Sequence, residues 1–305
     1  MVGHIIALTT CPVEGTKHTL VQARRRPVAP LPTDDSPLTR LAKFHRMRQD
    51  ENTAILSRSF GEVADQYNRL RSGPSSEALD WLLPEGATDI LEIGAGTGIL
   101  TRLLAERVEC LTAIEPDDRM RAVLAAADPR VELLAGRAEE IPTDSSSFDV
   151  VIAQSAWHWV DESRAVPEVA RVLRPGGRLS LVWTGPDRSV DWMRSLWAGG
   201  IVFSPEEKSD EDSRRRGRHL VNVDAAGESP FLEPETKLFQ WTRPMTKADL
   251  VALSATYSAV ITMEDTARRE HLEAMTRFLG AYEPFAGLDV IDVPMRSYCW
   301  RATKR

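Results

Sequence analysis

The sequence predicts an α/β fold in which a doubly wound, mostly parallel sheet is covered by helices on both faces. Apolar strand-like segments alternate with helix-like segments between about residues 86 and 185, and such alternation places the strands parallel through right-handed crossovers. Residues 148–153 are almost continuously apolar, which is typical of a strand buried on both faces. A glycine-rich turn directly follows the first strand, at the edge where open α/β sheets bind ligands.

Hydrophobic periodicity places the individual elements in order along the chain. A helical pattern starts at 52 and ends near 71, and a short helix follows at 76–83. The predicted strands are 89–93, 110–115, 131–135, 148–153, 178–183, 237–241, 288–293 and 296–300. The predicted helices after the first strand are 99–108, a segment around 120–124, 168–173, 247–258 and 264–279. Thr246 with Asp249 indicates a helix cap, and Pro294 separates the last two strand-like runs.

Composition indicates one large domain preceded by a tail. Residues 1–46 contain five prolines and no sustained hydrophobic period, which predicts a disordered N-terminal extension. The remaining residues, 47–305, form the predicted domain. Its parts are lid helices at 50–83, a core at 86–185, a charged insert at about 204–230 and C-terminal helices and strands at 236–305.

Bulk properties exclude several functional classes. The net charge of −7 argues against a dedicated nucleic-acid-binding protein, which carries a basic excess. No apolar run approaches the roughly 20 residues that span a membrane. No His, Cys, Asp or Glu cluster has metal-ligand spacing, and the three cysteines form no C-x-x-C pair. The sequence therefore predicts a cytoplasmic protein without a metal, a membrane partner or a nucleic-acid partner, and it indicates no oligomeric state.

The turn after the first strand has the spacing G-x-G-x-G, with glycines at Gly94, Gly96 and Gly98 and with Ala95 between the first two. So tight a turn requires positive φ, and a side chain would hold a ligand away from the backbone. The amides at the start of the next helix are then free to meet a polar ligand. This spacing differs from the G-x-G-x-x-G that binds a dinucleotide pyrophosphate, and it suits S-adenosylmethionine, which has no phosphate.

Two acidic residues end the first two strands. Glu92 lies two residues before Gly94, where a carboxylate can reach the ammonium group of a bound ligand. Glu115, followed by Pro116, closes the second strand at the place where an acid accepts both ribose hydroxyls of an adenosine. Glu115 alone does not distinguish S-adenosylmethionine from NAD.

The loop 136–142 follows the third strand and would meet the adenine. We expect Ala138 to pack on the adenine ring and Glu139 to reach its amino group. By itself the loop is weak evidence for an adenine site. It becomes informative because it follows the glycine turn and Glu115 in the chain.

The segment 154–159 leaves the fourth strand at the ligand-binding edge. Trp157 and Trp159 could form a wall beside a sulfonium cation and its methyl acceptor, and His158 could take a proton from the acceptor or orient it. The alternative is that the tryptophans belong to the core and the histidine is structural. Tyr67, a second candidate catalytic residue, and Arg71, a candidate substrate contact, lie at the end of the leading helix. They are predicted to close over the pocket or to pack on the surface.

In this order, the motifs resemble the class I S-adenosylmethionine-dependent methyltransferases, and within them the type 11 branch that includes trans-aconitate methyltransferase-like proteins. The matching segments are 59–67, 91–98, 113–116, 136–142, 153–160 and 168–177. The resemblance implies a Rossmann-like sheet of seven strands with the last strand antiparallel. It also implies cofactor contacts at Glu92, Gly94, Gly96, Glu115, Ala138 and Glu139. Gln154 would lie beside the methionine part of the cofactor, and 157–159 beside the acceptor.

The sequence departs from these relatives in the regions of the lid and the acceptor. Relatives often carry an Arg-Pro-x-Tyr-Pro stretch where this chain has residues 71–76, and they commonly end on Pro-Tyr-x-Thr where it has 294–297. These differences concern the acceptor and leave the cofactor prediction unchanged.

The leading hypothesis is a methyltransferase that moves a methyl group from S-adenosylmethionine to a small molecule by in-line displacement, with catalysis by proximity and orientation. An NAD(P)-dependent oxidoreductase on the same sheet order and a non-catalytic S-adenosylmethionine-binding protein are the alternatives.

Overall fold

One mixed sheet of seven strands, in the spatial order β3-β2-β1-β4-β5-β7-β6, organises the protein. The computed structural model describes residues 67–128, 130–198, 221–225 and 227–305. The strands are β1 (Asp89–Ile93), β2 (Cys110–Ile114), β3 (Glu132–Leu134), β4 (Phe148–Gln154), β5 (Leu173–Pro186), β6 (Glu235–Thr246) and β7 (Val290–Thr303). Strands β1 to β5 pair in parallel, whereas β7 is antiparallel to both β5 and β6. The doubly wound, seven-stranded sheet with an antiparallel last strand is confirmed.

Helices flank this sheet. They are α1 (Ser76–Leu82), α2 (Ile99–Ala105), α3 (Asp118–Ala127), α4 (Glu162–Val172), α5 (Asp191–Ala198), α6 (Lys247–Ala255), α7 (Ser258–Ile261) and α8 (Asp265–Ala281). Residues 67–70 are helical, and single 3-10 turns occur at Trp157–Trp159 and Glu283–Phe285. The predicted extension 1–46, residues 50–66 of the predicted lid and residues 204–220 of the charged insert lie outside the described residues.

The central strands are apolar because both of their faces are buried. In β1, Leu91 belongs to the cluster that packs under α4, whereas Ile90 belongs to the cluster that packs under α1 and α2. Successive side chains of a strand point to opposite faces, so neighbouring residues serve two different layers of the core. A third cluster joins α5, α6 and α8 to β7.

The chain from 290 to 303 is one continuous strand, although the sequence predicted two runs separated by Pro294. The carbonyl of Pro294 accepts a hydrogen bond from the amide of Asp187, just past the end of β5. The N and C=O of one strand residue point to the same side, so the proline nitrogen faces the side where β5 has already ended. The missing N–H therefore removes no bond from the ladder with β6.

Two of the helices that differ from their predicted bounds have a clear local reason. Helix α4 starts at Glu162 rather than 168, because Asp161 caps it by accepting from the Ser163 amide, and the buried face of the helix outweighs the bond that Pro167 removes. The predicted helix 247–258 divides into α6 and α7 at a turn through Tyr257. The predicted cap at Thr246 is confirmed, since its hydroxyl accepts from the Asp249 amide at 3.0 Å.

Candidate functional site: the carboxyl edge of β1, β2 and β4

The connections of the sheet reverse direction between β1 and β4, and this creates a crevice at their carboxyl ends. Strand β2 lies on one side of β1 and β4 on the other, so the loops that leave β1 and β4 turn apart. Open α/β sheets bind ligands at such switch points. The glycine turn after β1 and the turn 155–159 after β4 both lie here.

The three glycines of the turn all have positive φ, but their surroundings differ. A Cβ on Gly94 would lie 2.7 Å from Ala156 Cβ, so this glycine lets the turn after β4 approach closely. A Cβ on Gly98 would overlap Leu124 of α3. At Gly96 the nearest atom would be Met120 Sδ at 3.8 Å, an ordinary van der Waals contact. Gly96 is therefore the glycine of the turn at which a Cβ would overlap no protein atom, so tight packing does not explain its missing side chain.

Gly98→Ala is expected to destabilise the fold because the added methyl overlaps Leu124 and the backbone at φ +87° disfavours a side chain. We expect the loss in the free energy of unfolding to be about 2 kcal/mol or more. Urea denaturation followed by circular dichroism measures it. An unchanged unfolding midpoint would contradict the packing described for this glycine.

Ala95 and Pro116, two further predicted cofactor contacts, lie on the same edge with different exposure. Ala95 is buried with Ala113 and Leu124, and its amide donates to the Ile114 carbonyl. Its side chain therefore faces the packing between β2 and α3, and its carbonyl accepts from the Gly98 amide at 2.9 Å, so both of its backbone groups are bonded within the protein. Pro116 is exposed after the end of β2.

Glu92 is a buried carboxyl group, 1% exposed, and among the described residues its Oε2 has no hydrogen-bond partner. Burial raises its pKa to about 8; the carboxylate of Glu115 adds to this, while Thr101 and Arg102 act in the opposite direction. A buried polar atom without a hydrogen-bond partner costs free energy. The presence of such an atom in the folded protein therefore indicates that a ligand binds there. A cation placed beside Oε2 would satisfy it.

Glu115 links the end of β2 to the glycine turn. Its Oε2 accepts from the Gly96 amide at 2.9 Å and its Oε1 from the Asp117 amide at 3.0 Å. Burial raises the pKa of Glu115, and these two amides lower it. A carboxylate has about four acceptor positions, so each oxygen can also accept from a hydroxyl of a ligand.

The predicted adenine loop packs against the turn that follows β4. Ala138 is buried in the core cluster under α4. The Glu139 Oε1 accepts from the Asp161 amide at 2.8 Å, at the start of α4. The carboxylate that was predicted to reach the adenine amino group therefore also fixes the position of α4.

The residues after β4 divide between the core and the surface. Trp157 is 1% exposed, and its Nε1 donates to Glu162 Oε1 at 2.8 Å, which corresponds to the core interpretation of this tryptophan. Trp159 is 51% exposed and its ring lies 4.8 Å from that of His158, centroid to centroid. His158 is exposed, and the protein atoms around its ring lower its pKa.

Gln154, the last residue of β4, joins this edge to residues 67–72, which we call the cover segment. Its Nε2 donates to the Ser72 carbonyl at 2.9 Å, while its Oε1 is buried without a partner among the described residues. This oxygen can accept a hydrogen bond from a donor group of a ligand. Gln154 and Glu92 thus each offer one unused oxygen at the ends of β4 and β1.

The cover segment packs on the turn between α6 and α7 through aromatic and cationic side chains. The Arg71 guanidinium lies over the Tyr257 ring at 3.8 Å and over the Tyr67 ring at 5.2 Å. Its Nε and Nη2 donate to the hydroxyl and the carbonyl of Thr256. A Cβ on Gly185, near the end of β5, would lie 3.3 Å from the Tyr257 hydroxyl. Tyr67, Arg71 and Tyr257 therefore meet beside the carboxyl end of β5.

Sequence reasoning missed three contributors to this edge. Asn68 contacts the Thr97 hydroxyl of the glycine turn through its side-chain oxygen, and Arg243 of β6 donates to three atoms of the cover segment. Neither has a local motif. Tyr257 lies in the turn between α6 and α7, and the periodicity predicted one uninterrupted helix, 247–258, at this place.

Other features of the described residues add no competing site. Those residues include no group of three or more potential metal ligands, and none of their helices has the length and hydropathy to cross a membrane. An open groove on the outer face of α8 is lined by 265–277 alone. Ligand sites usually combine several elements, so we place the functional site at the sheet edge.

The residues present fit S-adenosylmethionine. The unpartnered Oε2 of Glu92 and Oε1 of Gln154 suit an ammonium group, and the absence of a side chain at Gly96, where a Cβ would overlap no protein atom, suits the body of the cofactor. Glu115 keeps acceptor positions for two ribose hydroxyls. The predicted cofactor contacts at the ends of β1, β2 and β4 are thus brought to one edge.

Comparison with known proteins places the chain in a family. Residues 91–181 match the Methyltransf_11 family, a methyltransferase domain. The chain is 40% identical over 248 residues to an uncharacterized methyltransferase of Mycobacterium tuberculosis. The match covers 81% of this chain and 96% of the relative. It is 31% identical over 156 residues to the ubiquinone/menaquinone biosynthesis C-methyltransferase of Dinoroseobacter shibae. This match covers 46% of this chain and 62% of that relative.

A solved structure supports the fold. A candidate type II methyltransferase from Anaeromyxobacter dehalogenans superposes with a TM-score of 0.56 at 23% identity, covering 77% of this chain and 97% of that one. The trans-aconitate branch stays a prediction. The family match and the sheet edge described above lead to the same conclusion: this chain belongs to the class I S-adenosylmethionine-dependent methyltransferases.

Proposed function

We propose that this methyltransferase acts on a small organic molecule that binds between the cover segment and the carboxyl edge of the sheet. The observation that carries the proposal is the stack of Tyr67, Arg71 and Tyr257 beside the end of β5. Arg71 is followed by Ser72, whose carbonyl accepts from Gln154, so the stack lies near the end of β4, and an edge covered in this way suits a compact acceptor better than a polymer. The net charge of −7 also disfavours nucleic acid.

The proposed mechanism is an in-line displacement. When bound, S-adenosylmethionine supplies a methyl group on a positively charged sulfur. Glu92 and Gln154 hold the amino-acid end, Glu115 holds the ribose, and Ala138 with Glu139 lies at the adenine end. The cover segment with Tyr67 and Arg71 excludes water and orients the acceptor. Such alignment can contribute several kcal/mol without any obligatory catalytic side chain.

We further propose that His158 takes a proton from the acceptor or orients it, while Trp159 contacts its apolar part. A lowered pKa keeps the imidazole neutral near pH 7, as a proton acceptor requires. Trp157 is assigned to the wall behind these residues, because its side chain is buried.

His158→Ala is expected to lower kcat by about 100-fold while the affinity for S-adenosylhomocysteine stays unchanged. His158→Gln separates the two roles, since an amide can orient an acceptor but cannot take its proton. Initial rates and calorimetric titration of each variant measure both quantities. Full activity in both variants would contradict a role for this residue.

Turnover with S-adenosylmethionine against a panel of small carboxylates, phenols and amines tests the function itself. Formation of S-adenosylhomocysteine that depends on one class of small acceptor supports the proposal. Turnover on protein or nucleic acid alone would contradict it. The family match argues against the oxidoreductase alternative, and a protein that binds the cofactor but methylates nothing would correspond to the non-catalytic alternative.

A further inference from the structure

The cover segment, residues 67–72, is held to the cofactor edge by two side chains that belong to that edge. Thr97 of the glycine turn contacts the side chain of Asn68, and Gln154 donates to the Ser72 carbonyl at 2.9 Å. These contacts place the cover segment directly over the ends of β1 and β4. Its position therefore determines how the cofactor site is closed.

A third attachment comes from β6 at the far edge of the sheet. Arg243 Nη1 donates to the Leu70 carbonyl at 2.5 Å and to the Ser72 hydroxyl at 2.7 Å, and its Nη2 donates to the Arg69 carbonyl at 2.7 Å. One guanidinium thus binds three atoms of the segment, on residues 69, 70 and 72. The Arg69 side chain pairs with Asp249 of α6 at 2.7 Å, which joins the same segment to the next helix.

We propose that Arg243 is a positioning residue for the methyl-transfer reaction, holding the cover segment on the cofactor edge and thereby setting cofactor affinity without touching the cofactor. This inference rests on the proposed placement of the cofactor at the glycine turn and Gln154. Arg243 donates to the carbonyls of Arg69 and Leu70. These carbonyls lie at the end of the helical turn 67–70, where backbone carbonyls lack helical partners.

Only arginine can make this set of contacts. The planar guanidinium carries donors in a fixed fork, so it reaches two carbonyls and a hydroxyl together, whereas a lysine ammonium is a single point of charge on a flexible stem. The half-buried environment of Arg243 lowers its pKa, yet Asp249 favours the cation. We therefore expect the contacts to persist throughout the neutral pH range.

The test compares Arg243→Ala and Arg243→Lys with a matched control, Arg301→Ala. Arg301 of β7 also donates to a backbone carbonyl, that of Trp81 in α1 at 2.6 Å, and its guanidinium lies over the Trp81 ring, but it has no contact with the cover segment among those described. Calorimetric titration with S-adenosylhomocysteine gives the dissociation constant, and circular dichroism checks that each variant is folded.

We expect Arg243→Ala to raise the dissociation constant by about tenfold or more, Arg243→Lys to raise it less, and Arg301→Ala to leave it near the wild-type value. Millimolar guanidinium ion should restore binding to Arg243→Ala alone. Wild-type affinity in Arg243→Ala, or an equal loss in Arg301→Ala, would overturn the proposal. If Arg243→Ala does not fold, wild-type affinity in Arg243→Lys overturns it instead. Absence of binding in the wild-type protein would overturn the cofactor placement itself.

Discussion

Gly96→Val is expected to abolish cofactor binding while the protein remains folded. The valine side chain would stand in front of the glycine turn, where we propose that the cofactor binds, and its Cβ would contact Met120 Sδ at 3.8 Å without a clash. We expect the affinity for S-adenosylhomocysteine to fall by about 100-fold or more, which corresponds to about 2.7 kcal/mol. Calorimetric titration measures the affinity, and thermal unfolding measures the accompanying loss of stability.

Gly86→Val provides the matched control for this experiment. Gly86 also has positive φ, +77°, and a Cβ there would meet nothing within 4 Å, but it precedes β1 and lies outside the glycine turn. Both substitutions place a side chain in the left-handed region, so each should cost about 1–3 kcal/mol of stability. Only Gly96→Val should lose the cofactor. Equal affinity in the two variants would contradict the assignment of Gly96 to the binding site.

Glu92→Gln is expected to weaken cofactor binding and at the same time to stabilise the ligand-free protein at alkaline pH. A neutral amide lacks the charge that attracts an ammonium group, and a charged hydrogen bond contributes roughly 1.5–3 kcal/mol, so the affinity should fall roughly 10- to 100-fold. Calorimetry with S-adenosylhomocysteine at about pH 8, near the pKa of Glu92, measures this effect. An unchanged affinity would show that Glu92 does not face the ligand.

The stability effect follows from the raised pKa of Glu92, about 8 in the folded protein against an ordinary value of 4.5. The folded state binds this proton more tightly than the unfolded state does. The contribution of Glu92 to the free energy of unfolding is therefore complete below about pH 4.5 and falls by about 1.4 kcal/mol per pH unit as the pH rises toward 8. Glu92→Gln removes this slope.

Urea denaturation of the ligand-free protein at about pH 5.5 and about pH 8 measures the slope in the wild type and in the variant. Glu106→Gln is the control, because Glu106 is exposed at the end of α2. It should change neither the slope nor the affinity. Parallel pH dependence in the wild type and Glu92→Gln would contradict the burial of a titrating carboxyl group at this position.

The same properties of Glu92 connect binding to pH. The proposed contact of Glu92 with the cofactor ammonium requires the carboxylate form, whereas in the ligand-free protein Glu92 holds its proton up to about pH 8. We therefore expect cofactor binding near pH 7 to release a proton from Glu92. Burial destabilises the charged carboxyl group in the absence of a ligand, and the bound ammonium offsets this cost.

Much of the fold could be predicted because the central strands are short, apolar and followed by recognisable turns. Strand β1 is observed at the predicted residues, and the observed β2 and β4 each differ from prediction by one residue at the end. The errors occurred where tertiary contacts overrode a local signal. Pro294 predicted an interruption between two strands. Strand β7 continues through it because the Pro294 nitrogen, which has no N–H, faces the side where β5 has ended. The predicted helix starts at 168, directly after Pro167, whereas α4 starts at Glu162 and includes this proline.

The candidate site was predictable in part for a similar reason. Glu92, Gly96, Glu115 and Gln154 each end a strand or begin its turn, and parallel strands bring such residues to one edge. For Trp157 and Trp159 the sequence left two interpretations open, because spacing does not reveal which of two nearby tryptophans is buried. The 3-10 turn at Trp157–Trp159 directs the first into the core and leaves the second exposed.

The sequence by itself determined the sheet, its glycine turn and the acidic strand ends, because these depend on local periodicity and on conformations that only glycine adopts readily. Tertiary structure alone decided how the site is covered. Arg71 lies over the Tyr257 ring and Arg243 donates to the Leu70 carbonyl, and each of these contacts spans more than 170 residues of chain. No local pattern encodes such pairs, since their geometry exists only after β6, β7 and α6 have packed onto the sheet.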